Sequence, residues 1–314
     1  SFRPFPVHPQ HNILSFFNNI TVSSAISLRI LTFAPTHLAM EFTPDIHSKL
    51  PQVGTSIFAK MGGLAMEHNA LNLSQGFPDF PIDERLMEAL KTASFGGMNQ
   101  YSPMPGLPKL RNAISQSMGK MYGFTPNPDT ELTVVAGATE GLFSAFQAFI
   151  KEGDEVVLFT PAYDSYAPAI ELAGGKPVYV QLQAPDFSID WTEVRKVLTR
   201  KTKAIVLNSP HNPSGAVIGK KDVDELKKIV KGTDILVFSD EVYDRMVFDG
   251  KKHLCLAADP ELKNRTMSFF SFGKTYHTTG WKCGFVMANE AITAELRRIH
   301  QFVVFAVNTP TQEA

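Results

Sequence analysis

From about residue 130 onward, short apolar runs alternate with segments whose apolar positions recur at helical spacing. The runs are "LTVVAGA" (132–138), "EVVLFTPAY" (155–163), "KPVYVQL" (176–182), "KAIVLNSP" (203–210), "DILVFSDEVY" (234–243), "TMSFFSFG" (266–273) and "CGFVMAN" (283–289). They are short, rich in Val, Ile and Phe, and almost unbroken by polar residues, as strands buried on both faces should be. Helical patterns at 139–151, 190–200 and 219–231 separate several of them. Such alternation predicts an α/β domain built on a mostly parallel seven-stranded sheet flanked by helices. The gap between 273 and 283 is too short for a helical crossover, so one of the last two strands should be antiparallel or lie at an edge. Upstream, "DERLMEALKTA" and "LPKLRNAISQSMGKMYG" read as two further helices, joined by a loop containing Gly96, Gly97, Pro103, Pro105 and Gly106.

Composition narrows the classes of function. The 314 residues suffice for a sizeable core, and 44% apolar with 19% charged residues is ordinary for a soluble globular chain. A formal net charge of −1 gives no field directed at nucleic acid or an anionic membrane. There is no apolar run long enough for a transmembrane helix. The nine histidines are scattered, and Cys255 and Cys283 form no C-x-x-C pair, so neither a disulfide framework nor a metal site is expected. Two lone cysteines fit a reducing, cytoplasmic compartment. Residues 1–39 hold no Asp or Glu, and only Arg3 and Arg29 carry charge. They read as a leader, either targeting or foreign to the working protein, with Met40 as the functional start; organellar targeting stays open. At the other end, "FAVNTPTQEA" stops in what reads as the start of a helix, so the chain reads as cut.

The stretch "SFFSFGKTYHTTGWKCG" (268–284) sets a lysine, Lys274, among small and hydroxyl-bearing residues. A plain surface lysine is the ordinary reading. A phosphate loop would need glycine at 268, where Ser268 stands. In open α/β sheets ligands bind beyond the carboxyl ends of strands, so the polar residues there belong together. Thr139 follows the first run at a helix N-terminus, where backbone amides favour an anion; alone it is a simple N-cap. Tyr163 offers a flat ring, Asn212 sits between Pro210 and Pro213, and Asp240 is a half-buried carboxylate that needs a partner. Ser271 and Lys274 end the sixth run, and Lys282 follows. An anion-binding terminus, an aromatic face, a carboxylate, a phenol, an amide and a lysine match the groups of pyridoxal 5′-phosphate one by one, with Lys274 forming the Schiff base to its aldehyde.

The chain resembles the class I, fold type I aminotransferases, and within them the methionine and kynurenine aminotransferase-like subgroup. The resemblance runs from about Met40 to Ala314 through "LSQGFPDFP" (73–81), "NQYSPMPGLPKLR" (99–111), "AGATEGLF" (136–143), "PHNPSG" (210–215), "SDEVY" (239–243) and "SFGKTYHTTGWKCG" (271–284). It implies an aspartate-aminotransferase-like fold, with residues 40–82 as N-terminal arm and part of a small domain and 83–314 as the cofactor-binding large domain. It implies that Lys274 carries the cofactor and acts as acid–base, that Asp240 binds the pyridine nitrogen, and that Tyr243 and Asn212 bind the phenolic oxygen. Tyr163 would stack on the ring. Ala138, Thr139, Ser271 and Lys282 would hold the phosphate. Gly76 and Asn212 would lie near the substrate, and Tyr101 and Phe305 would reach a neighbouring subunit, which implies a homodimer. Many relatives carry arginine where Lys282 stands, so that contact should be less directional. Relatives also continue beyond Ala314 with the rest of the small domain and the arginine that pairs the substrate carboxylate. Ile57, Phe58, Met61 and Leu64 are therefore expected to be under-buried. The implied reaction is transamination between an amino acid, of methionine or aromatic type, and a 2-oxo acid. Cysteine-conjugate β-elimination on the same residues, a non-catalytic ligand sensor and an inactive fragment are the alternatives.

Overall fold

The structure is a computed structural model whose described residues are 46–74 and 80–314. Helices come first: α1 (Ile57–Glu67), α2 (Glu84–Phe95) and α3 (Pro108–Tyr122). The chain then winds through β1 (Leu132–Val135), α4 (Ala138–Phe149), β2 (Glu155–Thr160), α5 (Tyr166–Leu172), β3 (Lys176–Gln181), α6 (Trp191–Val197), β4 (Thr202–Asn208), α7 (Lys220–Val230) and β5 (Leu236–Asp240). It ends with β6 (Thr266–Ser271), the short α8 (Phe272–Thr275), β7 (Gly284–Ala288), α9 (Glu290–Val303) and α10 (Thr309–Glu313).

The seven strands form one sheet in the order β1-β7-β6-β5-β4-β2-β3. Neighbours from β6 to β3 are parallel, while β7 runs antiparallel to both β6 and β1. The antiparallel alternative for the last strands therefore holds, and β7 lies inside the sheet. Apolar runs overestimate several strands at their C-terminal ends. Pro161 and Pro210 offer no N–H to a ladder. The run at 132–138 turns into α4 after Val135, and β6 ends at Ser271 because β7 begins opposite it, at Gly284.

The unbroken hydrophobicity of these strands has a direct cause: both faces are covered. In β4, Ala204 and Val206 pack with α4, α5 and α9 side chains, while Ile205 and Leu207 pack with α6 and α7. In β2, Val156 and Leu158 face the first layer, and Val157 and Phe159 the second. Phe146 of α4 stacks on Phe238 of β5 at 4.9 Å, and Phe238 on Phe269 of β6 at 6.1 Å. All three rings are fully buried, each contributing about 1.5–3 kcal/mol of transfer free energy.

Besides the single turn α8, three helices were not read from the pattern. α5 ("YAPAIEL") is short and contains Pro168, so its periodicity is weak. α9 is clearly amphipathic, with Ile292, Leu296 and His300 buried at spacing four, and the signal was there to be read. α1 has no buried residue; Ile57 is 57% exposed and Met61 and Leu64 nearly 40%. Residues His47–Ala314 form one unit. Among the described residues, no helix is long and apolar enough to cross a membrane.

Candidate active site

Parallel strands bring their carboxyl ends to a common edge. Asn208, the last residue of β4, pairs with Asp240, the last of β5, and Asp240 pairs with Phe269 of β6. The antiparallel β7 delivers its N-terminal end to the same edge, and with it Lys282. A cavity of about 580 Å³ opens there. It gathers Ala138, Thr139, Tyr163, Asn212, Asp240, Tyr243, Ser271, Lys274 and Lys282. These come from the ends of six strands, β1, β2, β4, β5, β6 and β7. Gly76 lies outside the described residues. Tyr101 and Phe305 lie away from this cavity, 81% and 61% exposed, with their rings edge to face at 5.1 Å.

At the deep end sits Asp240, 4% exposed. Tyr166 donates its phenolic O–H to Oδ2 at 2.5 Å, and the amide of Val242 donates to Oδ1 at 3.3 Å. Burial pushes the Asp240 pKa up to about 6, against the pull of these two bonds and of Lys274. Burial, then the facing Asp240, drives the Tyr166 phenol well above its ordinary value, so it stays a donor. Asn208 ties the floor together. Its Nδ2 donates to the Asp240 carbonyl at 2.9 Å, and its Oδ1 accepts the Asn212 amide at 2.7 Å. Tyr163 stands edge-on to Tyr166 at 5.5 Å, with its hydroxyl 3.4 Å from Thr139 Oγ1.

Lys274 is not at the end of a strand, as its sequence context suggested, but on the single helical turn α8. The turn closes through Tyr276 N–H to the Phe272 carbonyl at 2.8 Å. Lys274 Nζ lies 5.4 Å from the centre of the Tyr243 ring. Burial lowers its pKa, the ammonium of Lys282 lowers it further, and Asp240 opposes both. The Tyr243 phenol is raised by burial and then by Asp240. The site thus shifts the lysine toward its uncharged form and the phenol toward its protonated form.

The opposite end of the cavity is built for an anion. Gly137 caps α4 with φ +80°, a region few other residues enter. The turn aims the first amides of α4 outward, where the helix itself supplies no partner. A Cβ on Gly137 would stand 3.1 Å from Lys282 Nζ, so the missing side chain is what lets that ammonium sit over the helix start. Lys282 is itself held at φ 51°, an uncommon conformation for a residue with a side chain.

The sequence profile of the family described as aminotransferase class I and II matches residues 68–314. Methionine aminotransferase from Escherichia coli is 48% identical over 267 residues, covering 85% of this chain and 69% of that protein. The chain belongs to the class I aminotransferases. Kynurenine–oxoglutarate transaminase of Dictyostelium discoideum is 38% identical over 293 residues, 88% of this chain and 67% of that one. A crystal structure of an Escherichia coli protein, YbdL, with methionine aminotransferase function superposes with a TM-score of 0.83 at 46% identity, over 86% of this chain and 71% of that chain. The chain thus spans about two-thirds of the length of these relatives.

Aminotransferases of this class use pyridoxal phosphate, and the donor set fits that group. One cavity gathers a buried carboxylate, an amine of lowered pKa, and a helix start with an ammonium beside it. Sequence reading missed Tyr166, Asn208, Phe58, Ser74, Met246 and Thr279, which also line the cavity. Tyr166 had a signal: it follows Tyr163 by three positions, at the start of a helix. Asn208 is the polar residue that ends an apolar run. Ser74 lies in the motif at 73–81, two residues before Gly76, and no role was given to it; nothing in the pattern placed Phe58 at the site.

Proposed function

We propose that this aminotransferase takes methionine or an aromatic amino acid as donor and a 2-oxo acid as acceptor, with Lys274 and Asp240 at the centre of the chemistry. The observation that carries the reading is the placing of a half-buried lysine and a buried, phenol-held carboxylate in one cavity with an anion-binding helix start. When bound, pyridoxal phosphate supplies an aldehyde that captures amines and a cationic ring that draws electrons from the substrate Cα. Asp240 accepts a hydrogen bond from the ring nitrogen; a cation there favours its ionised form against the cost of burial. Tyr166 and Val242 orient that carboxylate, leaving it no freedom to swing away. Lys274 takes and returns the proton at Cα, a role toward which the lowering of its pKa by burial works. Tyr243 and Asn212 act at the phenolic oxygen. Tyr163 lies along the ring. Ala138, Thr139, Ser271 and Lys282 bind the phosphate.

The donor class rests on the apolar part of the cavity lining. Phe58 and Met246 line the same cavity as Lys274, and their side chains suit a thioether or aromatic group and offer nothing to a second carboxylate. The relatives named for methionine and kynurenine point the same way. The protein acts as a homodimer in this reading. Tyr101 and Phe305, exposed and away from their own cavity, complete a partner's cavity. Residues 40–82 serve as arm and partial small domain beside the large domain 83–314. Two buried free thiols, Cys255 and Cys283, suit a cytoplasmic setting.

Borohydride reduction of the cofactor-loaded protein, followed by peptide mapping, should place the pyridoxyl group on Lys274. A label on any other lysine overturns the assignment. In steady-state assays with a common 2-oxo acid, methionine or phenylalanine should exceed aspartate in kcat/KM by at least about tenfold, the usual discrimination of an apolar pocket. A preference for aspartate overturns the donor class.

A further inference from the structure

Behind the anion-binding end lies a buried group that none of the roles above uses. Glu140, in the first turn of α4, does not face solvent, and its side chain is only 12% exposed. Its Oε2 accepts the Ala136 amide at 3.0 Å, fixing the residue just before the Gly137 turn. Its Oε1 accepts the Ser144 hydroxyl at 2.6 Å and meets His300 Nδ1 at 3.0 Å. Since a carboxylate only accepts, Nδ1 carries the proton. His300 comes from α9, is 0% exposed, and its Nε2 has no hydrogen-bond partner among the described residues. A fully buried imidazole held by one bond on one nitrogen is a costly way to fill space; a leucine or phenylalanine would pack without orphaning a polar atom.

The position of Glu140 shows what the bond is for. Its backbone is one residue beyond Thr139, and its charge is of the same sign as an incoming phosphate dianion. At a helix start a free carboxylate competes with that anion for the same amides and the same field. Held between Ala136, Ser144 and His300, it is turned inward and braces the turn. We propose that His300 is a positioning residue for phosphate recognition: it holds Glu140 back from the α4 start and so sets the cradle formed by Ala138, Thr139 and Lys282. This rests on the reading of that end of the cavity as the phosphate site.

The test compares the affinities of the apoprotein for pyridoxal 5′-phosphate and for pyridoxal, by absorbance and fluorescence titration. Their ratio isolates the phosphate contribution, and a general loss of packing cancels from it. His300→Phe should lower the ratio roughly 10- to 100-fold, the range seen when a buried partner that orients a ligating group is removed. His300→Asn, which keeps a donor near the Nδ1 position, should recover most of it; His300→Gln, whose amide reaches toward Nε2 instead, should not. If His300→Phe does not fold, the Asn and Gln pair decides alone. In a Glu140→Gln background the charge is gone, so His300→Phe should change the ratio by less than about threefold. Equal loss for both ligands, or an undiminished effect in the Glu140→Gln background, overturns the proposal. Thr139→Val and Lys282→Ala separate the levels. If they lower the ratio and His300→Phe does not, only this inference fails. If they leave it unchanged, the phosphate site itself is misplaced and the inference falls with it.

Discussion

The cavity has two unlike walls. One is the sheet edge, where Asp240 and Asn208 end strands buried on both faces and are joined to Tyr166 of α5 and Asn212 of the following loop by hydrogen bonds of 2.5–2.9 Å. The other is the segment carrying Phe58 and Ser74, whose helix α1 buries nothing. The first wall is fixed by the register of β4 on β5 and costs no ordering when a ligand arrives. The second has few contacts to hold it, which is the condition under which a segment moves with its ligand. The proposed function therefore assigns recognition of the invariant cofactor to the rigid wall and recognition of the variable substrate to the loose one. Changes to the rigid wall should reduce turnover or stability steeply, and changes to the loose wall should move KM alone.

The sharpest break would come from Lys274. Lys274→Ala removes the amine proposed to exchange the Cα proton, and turnover of methionine should fall by at least about 10³-fold, within the range attributed to general acid–base catalysis. Rapid-quench or steady-state assays measure this. A fall of less than about tenfold would move the acid–base elsewhere and leave the comparison without its centre.

Asp240→Asn separates function from stability on the same wall. Turnover should drop on the order of 10³-fold, as for other carboxylates that fix a protonation state. The apoprotein should respond in the opposite sense. The folded pKa of Asp240 is raised to about 6 from an ordinary 3.8, so its favourable contribution is complete below pH 3.8 and is lost as pH rises through 6. The two-unit shift corresponds to about 3 kcal/mol. Denaturant titrations at pH 8 should find apo Asp240→Asn more stable than the parent by up to that amount, with the difference vanishing near pH 4. Equal stability at both pH values would show that burial does not strain this carboxylate.

How much of this could be read from the chain follows the same division. Strand ends declare themselves: an apolar run that stops at Asp240 marks both the edge and the residue displayed on it, and Asn208, which ends another such run, was passed over. The seven strands and most sheet-edge residues were legible for that reason, and the short 273–283 gap foretold the antiparallel β7. Lys274 was recognised, yet its place on a helical turn was not, because only the start of β7 opposite Ser271 ends the ladder. Tyr166 was invisible as a partner of Asp240, since the bond spans 74 positions and depends on how α5 lies over the sheet. Phe58 could not be found at all. A loosely packed wall leaves no periodic trace, and its role arises only from what it faces.

Tyr166→Phe should have an intermediate effect. The change keeps the ring packed and withdraws the 2.5 Å donor from Asp240 Oδ2, leaving a buried acceptor with one fewer partner. The loss should be about 1–3 kcal/mol in apoprotein stability at pH 8, where the carboxylate is ionised. Below pH 4, where Asp240 is protonated, the penalty should shrink. Asp240 should also titrate at a higher pH than in the parent, since that bond holds its pKa down. A pH-independent loss would assign Tyr166 to packing alone.

Phe58→Ala should have the smallest effect and is the one that most sharpens the division between walls. Phe58 is half-buried at the mouth of the cavity, on a helix whose other apolar residues Ile57, Met61 and Leu64 remain exposed. Truncating it removes apolar surface from the substrate side and no hydrogen bond from the cofactor side. A pocket that loses a few methylenes of contact discriminates less by about 1–3 kcal/mol, and only part of that applies at a site half open to water. KM for methionine should therefore rise about three- to tenfold, with kcat within about twofold of the parent. The dissociation constant for pyridoxal phosphate should be unchanged, because Phe58 offers the cofactor no hydrogen bond or charge in the proposed reading. Stability should shift by less than about 0.5 kcal/mol, as for other substitutions outside a packed core. Were cofactor affinity to fall in step with KM, the two walls would form one recognition surface, and the loose segment would have to be counted as part of the cofactor site.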